Sequence, residues 1–132
     1  TMIKSIYFMF LYVPACSDYL HAVKGARQIQ ESVSDDFEKL IQDENIQRVD
    51  VRTVAEYSQG HIPGSLNINV LDDKFSAEAD ELLDKERPVA VYCKSGRRSR
   101  NAARLLTQKG FKVYNLDKGF DNWKESGKDI EL

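Results

Sequence analysis

Val89-Ala90-Val91-Tyr92-Cys93-Lys94-Ser95-Gly96-Arg97-Arg98-Ser99-Arg100-Asn101-Ala102-Ala103 is the stretch that decides the fold. It reads as a buried strand, a six-residue loop that opens on a cysteine, and the start of a helix. The strand rests on a short apolar, β-branched run after Pro88. The helix rests on Ala102, Ala103, Leu105 and Leu106 at helical spacing, with Gly110 as its C-terminal stop.

A loop of this kind carries chemistry. Backbone N–H groups at a helix N-terminus lack intrahelical partners and, with the helix dipole, attract anions. A thiolate is such an anion, so Cys93 at the mouth of the loop is a candidate activated nucleophile. Lys94, Arg97, Arg98 and Arg100 favour the same charge state. Gly96 permits a tight turn. Ser95 and Ser99 supply hydroxyls for a bound sulfur or oxyanion. The competing reading is an inert strand-end cysteine beside a solvated basic face. A purely structural cysteine, however, gains nothing from a glycine and four cations so close by.

Tyr92-Cys93-Lys94-Ser95-Gly96-Arg97-Arg98-Ser99 resembles the active-site loop of the rhodanese family of sulfurtransferases. Residues 49–68, with Asp50-Val51-Arg52 and Gly60-His61-Ile62-Pro63-Gly64, are similar to the family's upstream signature. Gly119-Phe120-Asp121-Asn122-Trp123 resembles its C-terminal motif, although Lys118 stands where a first glycine is common. The resemblance covers residues 33–127, and three motifs in order make it specific.

The resemblance implies a sulfur atom taken from thiosulfate or a persulfide donor onto Cys93, then passed to cyanide or a thiol. Backbone N–H groups of residues 94–98 would cradle the persulfide. Lys94, Ser95, Gly96, Arg97, Arg98 and Ser99 would bind substrate, with the cations stabilising departing sulfite. It implies no metal and no organic cofactor. Two alternatives stand beside it. One is a carrier module that hands its persulfide to a thiol protein partner. The other is a cysteine-based phosphatase or arsenate reductase, whose loop resembles Cys, five residues, then Arg. Here Ser99 occupies the sixth place after Cys93 and Arg98 comes one early. That shorter loop suits one sulfur atom better than a tetrahedral oxyanion.

Outward from this loop, strand and helix alternate. A helix begins at a Ser34 cap, with Asp35 and Asp36 in its first turn and Phe37, Leu40 and Ile41 inward. Residues 46–51 form a strand ending in Asp50 and Arg52, at the end of an open sheet where sites are built. These two read either as a supporting layer that fixes the loop or as a local ion pair. Thr53 and Glu56 have capping-box spacing, opening a short helix that ends near Gln59. His61 lies in a turn and reads as structural. Leu66, Ile68 and Val70 alternate as a strand. Ser76 caps a helix through Lys85 with Leu82 and Leu83 inward. Residues 111–116 form another strand, and Trp123 anchors a last short helix. With a short strand near residues 28–33, this is an α/β fold: a five-stranded parallel sheet with helices on both faces. The rhodanese resemblance implies the same architecture.

The 132 residues divide into a leader at 1–16, a linker at 17–32 and one domain at 33–132. The apolar run 6–13 is too short for a mature membrane span of about 20 residues. It fits a signal-peptide core. Val13-Pro14-Ala15-Cys16-Ser17-Asp18 resembles a bacterial lipoprotein processing site, with lipid on Cys16. That implies the cell envelope or periplasm, with the membrane reached only through this lipid. The alternative is an N-terminal strand or partner-binding segment of a cytoplasmic protein. A net charge of −2 gives no general attraction to nucleic acid. Two cysteines and two histidines, far apart, lack metal-ligand spacing.

Overall fold

The computed structural model describes residues 29–132. Residues 1–16, read above as a leader with Cys16, and residues 17–28 of the stretch read as linker lie outside the described residues. Five strands form one sheet: β1 (Ile29–Ser32), β2 (Gln47–Asp50), β3 (Leu66–Asn67), β4 (Val89–Tyr92) and β5 (Val113–Leu116). Their order is β1-β5-β4-β2-β3, and every pairing is parallel. The last four residues of the stretch read as linker are therefore the edge strand, paired with β5 from Ile29 opposite Val113 to Ser32 opposite Leu116.

β4 lies at the centre, and all four of its residues are buried. That is why it reads as an unbroken apolar run: a central parallel strand is covered on both faces. Its side chains divide by the two-residue period. Val89 and Val91, followed by Cys93, pack with Val49, Val113, Ala79 of α3 (Phe75–Leu82) and Ala102, Ala103 and Leu106 of α4 (Arg97–Gln108). Ala90 and Tyr92 pack on the other face with Phe37 of α1 (Ser34–Leu40) and Phe120 and Trp123 of α5 (Gly119–Glu125). Trp123 is 2% exposed and meets Phe37 edge to face, with ring centroids 6.2 Å apart. α2 (Val54–Ser58) buries no residue fully and sits beyond the C-terminal end of β2.

Thr53 forms the capping box: its hydroxyl accepts from the Glu56 N–H, and the Glu56 carboxylate accepts from the Thr53 N–H. Several local expectations are corrected. Ser34 does not cap α1; Val33 holds the N-cap position, and the buried Ser34 hydroxyl donates to Asn122 Oδ1 at 2.8 Å. A tertiary partner has taken the group that a cap would use. Ser76 does not cap α3, which starts at Phe75 and ends at Leu82 rather than Lys85. The entry turn is made by Asp72, which accepts from the N–H groups of Lys74 and Phe75. Phe75, 3% exposed, packs in the core with Ala79 and Leu83, while Leu82 is 49% exposed. The paired part of β3 is only two residues long, and Leu66 is exposed at the sheet edge rather than inward like Ile68. Leu66 and Leu82 both line a groove at this edge, together with Ile46 and Leu83.

Candidate active site

β4 delivers Cys93 to the C-terminal end of the sheet, and α4 starts four residues later. Gly96 makes this possible. Its φ is 102°, and a Cβ there would stand 2.0 Å from the Asp117 carbonyl oxygen. Only glycine permits that turn with a second backbone so close. Gly119 clamps the loop from the other side, since a Cβ there would lie 2.4 Å from the Lys94 carbonyl oxygen. Lys118 precedes it at φ −101°, which any residue adopts, so the glycine missing at that place is not needed.

The first N–H groups of α5 then orient the loop. Phe120 N–H donates to the Cys93 carbonyl at 2.8 Å and Asp121 N–H to the Lys94 carbonyl at 3.0 Å. A trans peptide points its N–H opposite to its carbonyl. The N–H groups of Lys94 and Ser95 therefore face away from α5. Those of Lys94, Ser95, Arg97 and Arg98 have no acceptor among the described residues. Gly96 N–H reaches Cys93 Sγ at 3.1 Å. The Cys93 thiol donates to Ser99 Oγ at 3.3 Å, and Ser99 donates in turn to the Gly96 carbonyl at 3.1 Å. Cys93 is 1% exposed and Ser99 is fully buried, so the sulfur sits at the bottom of a bowl of backbone donors.

The basic residues separate into two groups. Lys94 and Arg97 are exposed around the rim with no ion pair among the described residues. Arg98 is engaged: its two terminal nitrogens meet the two Glu56 carboxylate oxygens at 2.7 and 2.9 Å. Arg98 therefore ties α4 to α2 and presents no free guanidinium over the sulfur. The Arg98 hydrogen bonds, aided by those from Thr53 and opposed by partial burial, bring the Glu56 carboxyl down to about 2. Arg100 meets Asp117 at 3.5 Å at the exposed end of the loop.

Asp50 and Arg52 lie beneath the loop, 0% and 4% exposed. Asp50 accepts from the Arg52 backbone N–H and side chain, the closest contact being Arg52 Nη2 to Asp50 Oδ2 at 2.7 Å. Arg52 also donates to the Gly60 carbonyl at 2.7 Å, and its guanidinium lies 4.3 Å from the Phe120 ring centroid. The pair is thus both a local ion pair and a floor under the residue that holds the Cys93 carbonyl. Burial, then the Asp50 charge, pushes the Tyr92 phenol far up from its ordinary value. It stays a neutral hydrogen-bonding group, accepting from Ile62 N–H and paired with Ser65. His61 is stacked on Tyr57 and bonded to the Tyr57 carbonyl and Glu131, away from the sulfur.

Sequence reasoning found Glu56 only as a capping residue; its partnership with Arg98 spans 42 positions and leaves no local signal. It also missed that Phe120 and Asp121 act through their backbone N–H groups, which no side-chain pattern reveals. Among the described residues no group of three or more His, Cys, Asp or Glu could hold a metal ion.

The sequence model of the rhodanese-like domain family matches residues 33–126. The putative sulfur carrier protein YrkF of Bacillus subtilis is 35% identical over 105 residues, 78% of this chain and 55% of YrkF. The chain thus spans little more than half the length of that relative. The thiosulfate sulfurtransferase GlpE of Shewanella oneidensis is 39% identical over 83 residues, 62% of this chain and 79% of that protein. The solution structure of the rhodanese-like domain of the Anabaena protein Alr3790 superposes with a TM-score of 0.69 at 27% identity, covering 76% of this chain and 77% of that one. A cysteine seated on backbone donors, in a fold and sequence shared with these proteins, makes the chain a member of the rhodanese-like domain family.

Proposed function

We propose that the chain is a thiosulfate sulfurtransferase that works through a persulfide on Cys93. One observation carries this reading: Cys93 Sγ rests 3.1 Å from the Gly96 N–H, at the base of a loop whose Lys94, Ser95, Arg97 and Arg98 N–H groups have no acceptor among the described residues. In the first step the Cys93 thiolate attacks the outer sulfur of thiosulfate. The S–S bond of the donor breaks, and its electron pair leaves with sulfite. The new persulfide carries the negative charge on its outer sulfur, where the loop donors stabilise it. Lys94 and Arg97 draw in the dianionic donor from the rim. In the second step an acceptor thiolate or cyanide attacks that outer sulfur, and Cys93 leaves as thiolate. Ser99 stands 3.3 Å from the sulfur and can turn its hydroxyl to donate to it once the thiol proton is gone.

The engagement of Arg98 by Glu56 argues for sulfur over phosphoryl chemistry. An oxyanion of phosphate size needs a guanidinium turned into the loop. The test is thiocyanate formation from thiosulfate and cyanide, run on the unaltered chain and on Cys93→Ala with a phosphate ester alongside. Thiocyanate is expected from the former and none from the variant. Ester hydrolysis without thiocyanate would overturn the proposal. A stable Cys93 persulfide in the mass spectrum without turnover would instead make the chain a carrier.

A further inference from the structure

From Lys94 to Arg104 the sequence carries five cations and no acid, in a chain whose net charge is −2. Arg97, Arg100, Asn101, Arg104 and Gln108 are the exposed positions of α4, at the three- and four-residue steps that share one helix face. The opposite face packs Ala102, Ala103 and Leu106 into the core. Arg97, Arg100 and Arg104 thus form a basic stripe, and exposed Lys94 continues it onto the cysteine loop. Helix stability does not account for the stripe. A helix dipole favours acids in the first turn and cations in the last, yet α4 has no acid in its first turn and no cation in its last. Internal pairing does not account for it either. Lys94, Arg97 and Arg104 form no ion pair among the described residues, and Arg100 meets Asp117 only at 3.5 Å, with both side chains exposed. Arg98, which Glu56 holds, lies off the stripe and is half-buried. Nor does the loop need Arg104, which stands about two turns beyond Arg97.

We propose that this stripe docks an acidic segment of a protein whose thiol accepts the sulfur from Cys93. The inference rests on the sulfur-transfer reading of Cys93 and names the partner class that reading leaves open. The distances permit it. Ser99, whose hydroxyl lies 3.3 Å from Cys93 Sγ, belongs to the same helix, and Arg104 stands five residues further on, a rise of about 7.5 Å. Helix side chains lean toward the N-terminus, so Arg100 and Arg104 lean toward the loop that precedes α4. An extended chain covers about 3.3 Å per residue. About four to six residues therefore join a thiol at the sulfur to carboxylates on the stripe, passing Arg97 at the rim. The stripe is also short. Just past the end of α4, Lys109 is matched by Asp80 of α3 at 2.8 Å, so the unmatched positive surface stops there. A short acidic segment suits it, whereas a long polyanion such as a nucleic acid runs on into acids. In the step itself the partner's thiolate attacks the outer sulfur of the Cys93 persulfide and the S–S bond breaks. The electron pair returns to Cys93, and the sulfur departs as the partner's persulfide. No oxidant or reductant enters, and the arginines take no proton.

The test uses the full chain and two synthetic peptides. Each has one cysteine, about five glycine and serine residues, and then a run of glutamates or of lysines. 2-Mercaptoethanol serves as the small acceptor. Binding is read by fluorescence anisotropy on labelled peptides with serine in place of the cysteine. Transfer is read from Cys93 loaded with thiosulfate, with rates normalised to thiolate concentration. The glutamate peptide is expected to bind more tightly and accept sulfur faster than the lysine peptide, and this preference should fade as salt rises. Arg104→Glu should cut both its binding and its transfer by about fivefold, the range of an exposed charge pair. Loading by thiosulfate and transfer to 2-mercaptoethanol should change less than about twofold, because screening weakens distant exposed charges. Equal behaviour of the two peptides would overturn the proposal. Equal losses in loading and in transfer to both kinds of acceptor would overturn it too, leaving Arg104 as part of a general field. A single-stranded oligonucleotide that binds more tightly than the glutamate peptide, and is lost in Arg104→Glu, would overturn it in favour of nucleic acid. If Cys93 takes up no sulfur at all, the sulfur-transfer reading itself falls, while the anisotropy still decides whether the stripe docks an acidic segment.

Discussion

Gly96 shows how tightly one residue constrains the cysteine loop. Its positive φ and its approach to the Asp117 carbonyl are separate obstacles to any side chain. A left-handed backbone costs a non-glycine residue about 1–3 kcal/mol, and the collision adds to that. Gly96→Ala is expected to destabilise the fold by about 3 kcal/mol or more in urea unfolding. It should also abolish thiocyanate formation, because relief requires the loop to move off Asp117 and carry the Gly96 N–H away from the sulfur. Gly110, by contrast, has open space around its missing Cβ, so its role is confined to the positive φ that ends α4. Both glycines are plain in the sequence; only the packing separates their consequences.

At the scale of elements, α2 serves the site through Glu56. The same carboxylate completes the capping box and holds Arg98 of α4. The folded carboxyl lies at about 2, below its ordinary 4.5. A depressed acid contributes stability that is full above its unfolded value and lost as pH falls through its folded one. That contribution therefore holds above about pH 4.5 and disappears toward pH 2. Glu56→Gln is expected to lower stability by about 1 kcal/mol at neutral pH, since the pair is partly solvated and the cap is modest. Its deficit should shrink steadily below about pH 4.5 and vanish only below about pH 2, which melting curves at several pH values would show. A loss that persists at acid pH would mean that shape, not charge, ties α2 to α4.

Across the whole molecule, the sheet separates two cores and the site draws on both. The sulfur emerges on the α4 face, yet the carbonyl of the same residue is held by α5 from the other face. Trp123 seats α5 against Phe37, and its indole donates to the Asp129 carbonyl at 2.7 Å. Trp123→Ala is expected to cost about 3–5 kcal/mol by denaturant unfolding. It should also slow sulfur transfer by more than the loss of folded protein explains, because α5 then orients the Cys93 and Lys94 carbonyls less firmly. Trp123→Phe, which keeps most of the ring volume, should restore most of both.

What local chemistry governs was legible in the residues alone. The apolar run of β4, the glycine after the cysteine and the Thr53–Glu56 cap each depend on neighbours a few positions away. They were enough for the five-stranded parallel sheet and for the turn that carries Cys93 from strand to helix. The tertiary structure decided the partners. It matched Arg98 with Glu56, drew the Ser34 hydroxyl to Asn122, left Leu66 and Leu82 exposed rather than inward, and set Phe120 and Asp121 as the donors behind Cys93. The physical reason is common to all four. A charge, a hydroxyl or an N–H has several partners open to it along the chain, and only long-range packing determines which one lies within reach.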